Sequence, residues 1–133
     1  MCGIKPDQTE ASFVDKNLKP ADAQLLAFDL KFSSPLTSLD VRQNAIGDAG
    51  KLAIGKALLA SESSKLHTMH CDEWSIDPSI TELDLSRKQL KAADATFLAG
   101  IIKFNSPLTQ LNLWANKIGA EGAKALAAVL PSR

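Results

Sequence analysis

The 133-residue chain carries 15 Lys+Arg against 15 Asp+Glu, so its formal net charge is zero, and 45% of it is hydrophobic. This balance argues against a protein built to coat nucleic acid or an anionic membrane, and the length suits one domain with a buried core. The polar start "MCGIKPDQTE" lacks the apolar stretch of a secretory signal; no run approaches the ~18 apolar residues of a membrane span; Cys2 and Cys71 then read as reduced thiols of an intracellular, cytoplasmic protein.

Residues 1–8 read as a tail, and a single domain is expected over 9–133. The domain repeats itself. Thr9 falls on Thr81, Leu18 on Leu90, Asp22 on Asp94, Asn44 on Asn116 and Gly50 on Gly122, which divides it into 9–80 and 81–133. So long a period points to a solenoid of smaller units.

In chain order, "EASFVDKNL" is a worn first strand copy, with Ala11, Phe13 and Leu18 in register. Ala23, Leu26, Ala27 and Leu30 then follow helical spacing. Pro20 suits the first turn, Asp22 lies at the positive end of the dipole, and Lys31 lies near the negative end. "SSP" ends this helix, as "NSP" ends its repeat. "LTSLDVRQNAI" switches to alternation, so Leu39 and Val41 face one way and Ser38, Asp40 and Arg42 the other. Gly50, Ala53, Ile54, Ala57 and Leu58 form the next helical stripe.

"LHTMHCDEWSI" is a looser copy with Trp74 in the place of Asn44, and "ITELDLSRKQL" is another with Lys88 there. Copies start at Leu36, Leu66, Ile80 and Leu108, so the step from Leu66 to Ile80 is about half as long as the steps on either side. No helix fits inside it, and an extended or irregular connection is expected near Trp74; the alternative is that the Leu66 copy is not a strand. Ala95, Leu98, Ala99 and Ile102 make the third stripe, with Asp94 and Lys103 at its ends. "LTQLNLWANKI" and a final stripe of Gly122, Ala125, Leu126, Val129 and Leu130 close the chain.

"LTSLDVRQNAI" and "LTQLNLWANKI" follow L-x-x-L-x-L-x-x-N-x-L, with Val or Ile allowed at the Leu places, and the other copies follow it more loosely. On that pattern the chain resembles leucine-rich repeat proteins, and its "NKIGAEGAKALAAVL" resembles their ribonuclease-inhibitor-like class. The resemblance implies an α/β solenoid: a short, curved, right-handed βα superhelix with a parallel sheet on its concave face, about five strands and four helices. It also implies inward-turned Asn44 and Asn116, and a protein partner in place of a reaction. No cofactor, metal or nucleic acid is expected, and no catalytic motif stands out. Open strand edges offer a route to homo-association. The alternative is a structural subunit, or a piece of a larger solenoid or assembly, held by edge pairing or helix-face contacts.

If all copies lie in one sheet, the outward residues form columns. One reads Ser12, Asp40, His70, Asp84, Asn112; the next reads Val14, Arg42, Asp72, Ser86, Trp114. Asp40, Arg42, His70, Asp72, Asp84 and Trp114 are therefore the expected partner contacts. His70 between two aspartates would favour the charged imidazole. Cys71 takes a core-facing place and so points away from His70. Trp114 is the candidate aromatic anchor, and Trp74 is expected to fill the short turn.

Overall fold

The computed structural model describes residues 9–32, 36–61, 65–103 and 108–129. The expected tail, Pro35, Pro107 and the side chain of Lys31 lie outside the described residues.

The alternating segments form short strands: β1 (Glu10–Ser12), β2 (Ser38–Asp40), β3 (Thr68–His70), β5 (Glu82–Asp84) and β6 (Gln110–Asn112). The helical stripes form α1 (Pro20–Phe32), α2 (Gly47–Ala60), α3 (Ala92–Ile102) and α4 (Gly119–Val129). β1, β2 and β3 pair in parallel with Ala11, Leu39 and Met69 abreast. β5 and β6 pair in parallel with Leu83 beside Leu111.

The expected single parallel sheet is corrected at the short step between Leu66 and Ile80. Among the described residues there are six strands, because β4 (Ser75–Ile76) returns antiparallel along β3, with Met69 opposite Ile76 and His70 opposite Ser75. The sheet order is β1-β2-β3-β4, and β5-β6 form a separate sheet. Two turns produce this break. The Cys71 N–H donates to the Trp74 carbonyl at 3.0 Å. The Ile80 N–H donates to the Asp77 carbonyl, and Asp77 Oδ1 accepts the Ser79 N–H at 2.8 Å. With two turns in so short a segment, no helix can form.

The helix layer continues where the sheet does not. α1 packs on α2, α2 on α3, and α3 on α4. At the first and last of these contacts a glycine meets an alanine: a β-carbon on Gly50 would lie 2.8 Å from Ala23 Cβ, and one on Gly122 2.9 Å from Ala95 Cβ. The middle contact is closer. A β-carbon on Gly55 would lie 2.5 Å from the Thr96 carbonyl oxygen, and one on Gly100 2.9 Å from the Gly55 oxygen. These two glycines break the repeat, since the equivalent positions in the opposite halves hold Ala127 and Phe28. They occur where two helices must touch backbone to backbone.

Trp74 fills the space left by the missing helix. It is buried, with its ring centroid 5.3 Å from that of Phe97 on α3. Its indole N–H finds no acceptor among the described residues, a cost carried by an otherwise apolar contact. Lys51 of α2 ties the same junction electrostatically. Its Nζ lies 2.8 Å from Asp94 Oδ1 on α3 and 3.3 Å from Glu73 Oε2 in the β3–β4 turn. Burial pulls the Lys51 ammonium down, but the two carboxylates outweigh it and hold the group above its ordinary value.

The two asparagines turn inward. Asn44 Oδ1 accepts the N–H groups of Lys16 and Leu18 in the preceding turn, while its Nδ2 donates to the Phe13, Val41 and Arg42 carbonyls. Asn116 makes the same set with Lys88, Leu90, Leu85, Leu113 and Trp114. A left-handed residue precedes each, Gln43 at φ 60° and Ala115 at φ 63°, and swings the amide into the core. At the interrupted position Asp72 Oδ1 takes over, accepting the Gln43 N–H at 2.9 Å. The helix starts repeat as well: Asp22 and Asp94 each accept the N–H of the residue three back, Lys19 and Lys91. Lys103 acts differently from expectation, because its Nζ bonds the Leu59 and Ser61 carbonyls and so serves the C-terminus of α2.

Gly55→Ala is expected to destabilise the fold by roughly 1–3 kcal/mol through overpacking against Thr96 and Phe97. Gly119→Ala, with no heavy atom within 4 Å of the added carbon, meets only the left-handed backbone cost of about 1 kcal/mol. Urea unfolding of the two variants would measure the difference.

Candidate protein-binding face

The outward residues of the strands supply the chemistry of this face, and the break in the sheet divides them into two groups. On the first sheet Ser12, Asp40 and His70 do align. The neighbour of His70 on its other side is Ser75, whose Oγ lies 2.9 Å from Nδ1, and Asp84 stands in the other sheet. The expected column with His70 between Asp40 and Asp84 is therefore corrected. The physical reason is the hairpin, which gives β3 an antiparallel neighbour.

Asp40 and Arg42 satisfy each other. The guanidinium Nη2 lies 2.6 Å from Asp40 Oδ2, and Nε donates to both carboxylate oxygens. Asp40 also accepts the Arg42 N–H. Burial alone would raise the Asp40 carboxyl, but the Arg42 hydrogen bonds and charge hold it below the ordinary carboxylate value. Asp72 is occupied by the Gln43 N–H. Four of the expected contacts thus lie on the first sheet, three of them in bonds that organise the turns.

The second sheet carries the other two. Asp84 is exposed, and the N–H of Ser86 holds its carboxyl below the usual range. Trp114, just beyond β6, is 64% exposed. Arg87 lies over it, with Cζ 5.0 Å from the ring centroid, close enough for a cation–π contact. Beside them a shallow groove of about 420 Å³ is lined by Glu82, Leu83, Asp84, Gln110, Leu111 and Asn112. Leu83 and Leu111 are only half-buried, whereas Leu39 in the middle of the first sheet is fully buried. A two-stranded sheet gives each leucine a strand on one side only.

Sequence reasoning missed Arg87. Alternation ends with the strand and does not mark a residue in the following turn. Its equivalent in the first half is Asp15, which gives no hint of a cation. The backbone explains the placement: Arg87 has φ 58° and donates its N–H to the Trp114 carbonyl.

Cys71 is buried and faces away from His70, as its register requires. Burial pushes its thiol up to about 12, too high for a nucleophilic thiolate at neutral pH. His67 pairs with Thr68 Oγ1 at 2.9 Å. Among the described residues no three His, Cys, Asp or Glu side chains gather as a metal site, and no helix is long and apolar enough to cross a membrane.

Parallel strands alternating with helices at a repeated register, with asparagines bonding one turn to the next, define a β-α repeat protein. The Leucine Rich repeat family model matches residues 32–55 and 104–127, which are the same segment in each half of the internal repeat. These two segments are leucine-rich repeats. Domains of this family generally mediate protein–protein interaction and are typically non-catalytic. No curated protein matches the chain.

Stability contributed by Asp40 is fully present above the ordinary carboxylate value of 3.8 and is lost as pH falls through its lower folded value. Arg42→Ala removes the guanidinium hydrogen bonds and charge but keeps the backbone N–H of residue 42, so an NMR titration should find the Asp40 carboxyl moved upward. Cys71 should resist iodoacetamide in the native state and react on unfolding, which mass spectrometry would detect as added carbamidomethyl.

Proposed function

We propose that the chain is a non-catalytic protein-interaction module of the ribonuclease-inhibitor-like kind, forming one domain over 9–133 and binding its partner on the strand face. Trp114 is the anchor, held by Arg87, and Asp84 lies beside it. Asp40, Arg42, His70 and Asp72 form the more distant part of the face. The observation that carries this reading is the large indole standing in solvent on an otherwise polar sheet. Such aromatic groups dominate binding energy at many interfaces, and short, hydrogen-bonded turns leave little to order on association.

A second reading is a structural part of a larger assembly, held through helix faces. Leu25 and Phe28 on α1 are 52% and 64% exposed. Their counterparts in the second half, Phe97 and Gly100, are buried against α2. The face of α1 thus has the place of a helix–helix contact, with Leu25 and Phe28 largely exposed on it.

Trp114→Ala should weaken partner capture by about 2 kcal/mol, roughly thirtyfold, with Phe28→Ser unchanged. Quantitative pull-down with both variants tests this: loss with Phe28→Ser alone selects the helix-face reading.

A further inference from the structure

The two halves of the repeat differ most usefully around Trp114. Lys88 and Lys91 repeat Lys16 and Lys19, so the basic residues of that turn are common to both halves. Three other positions move toward positive charge. Asp15 becomes Arg87, Ala45 becomes Lys117, and Asp40 becomes Asn112; Arg42 becomes Trp114. In the first half the Asp40 carboxylate occupies Arg42. In the second half Asn112 carries no charge, and its Oδ1 accepts the Trp114 N–H of the following turn at 3.0 Å.

The backbone brings these cations together. The Arg87 N–H bonds the Trp114 carbonyl, the Lys88 N–H bonds Asn116 Oδ1, and the Lys117 N–H bonds the Leu90 carbonyl. Lys91 and Lys117 sit abreast in a parallel bridge. Between them opens a cleft of about 380 Å³, lined by Gln89, Lys91, Ala115, Asn116 and Lys117. Asp48 approaches Lys91 at 3.7 Å with both side chains largely exposed, a contact worth little. On β5 itself, before this turn, stand the exposed carboxylates Glu82 and Asp84, with Glu82 at the far end of the strand and Asp84 near enough to Lys88 to feel its charge.

We propose that this end of the molecule receives an acidic segment of the partner protein, with one apolar side chain against Trp114 and carboxylates reaching Lys88, Lys91 and Lys117. The inference rests on the reading of Trp114 as the binding anchor and adds the partner's charge and direction. The acidic portion runs toward the Lys91–Lys117 cleft, and the neutral or basic portion lies over Glu82 and Asp84. Those two carboxylates also argue for a peptide against nucleic acid, since a continuous phosphate backbone crossing the face would be repelled there.

The test uses two synthetic peptides on the full chain: one of Glu, Asp, Gly and Ser with a central Phe, and the same peptide with Gln and Asn in place of Glu and Asp. Calorimetry should find the acidic peptide bound at least about tenfold more tightly than the neutral one at low salt, with the gap closing as salt screens it. Lys91→Glu with Lys117→Glu should remove the preference, as should Lys88→Glu made separately; circular dichroism would verify that each variant folds. Equal binding of both peptides, with Trp114→Ala weakening both, would overturn the acidic-partner inference and leave the anchor in place. Affinity for the acidic peptide that is unchanged in Trp114→Ala would overturn the anchor instead. Tight binding of single-stranded oligothymidylate without response to the acidic peptide would also overturn the inference.

Discussion

With no helix between β3 and β5, α2 and α3 have to touch directly, and the touch is made at Gly55 and Gly100. The remaining features of the junction follow from that contact. Trp74 and Phe97 fill the core beneath the two helices, and Lys51 bridges Asp94 and Glu73 at its rim. Small residues set the distance, aromatic residues fill the volume, and a partly buried charge group fixes the alignment. A larger side chain at either glycine would separate the helices and leave Trp74 without its neighbour.

The break in the sheet also makes the two halves of the strand face unlike. On the first sheet Asp40, Arg42 and Asp72 are engaged within the chain. On the second, Trp114 and Arg87 stand at the edge of a shallow polar groove, and the nearby lysines have few carboxylates to meet among the described residues. Sequence copies with almost the same core therefore carry different surfaces, because only the inward positions are bound by packing.

Much of the architecture was legible because the core positions state their period. Leu39, Met69 and Ala11 align as the copies require, the four helices lie under their stripes, and Asn44 and Asn116 bond as their places imply. Trp74 was readable as the filler of a short step. The antiparallel return of β4 was not, since the direction of so short a pair as Ser75 and Ile76 depends on the turns around it. That return is also what separates His70 from Asp84. Arg87 escaped notice because its position comes from a left-handed turn and a cross-strand backbone bond, neither of which leaves a hydrophobic pattern.

The divided sheet bears on how the chain comes apart. In a stacked array each unit is joined to the next by an interface energy, usually shared between strand ladder and helix packing. Across the step from β4 to β5 no ladder contributes among the described residues, so side-chain packing and the Lys51 group carry that link. The strand ladder of the array is thus divided in two, and the close α2–α3 contact is what couples one part to the other.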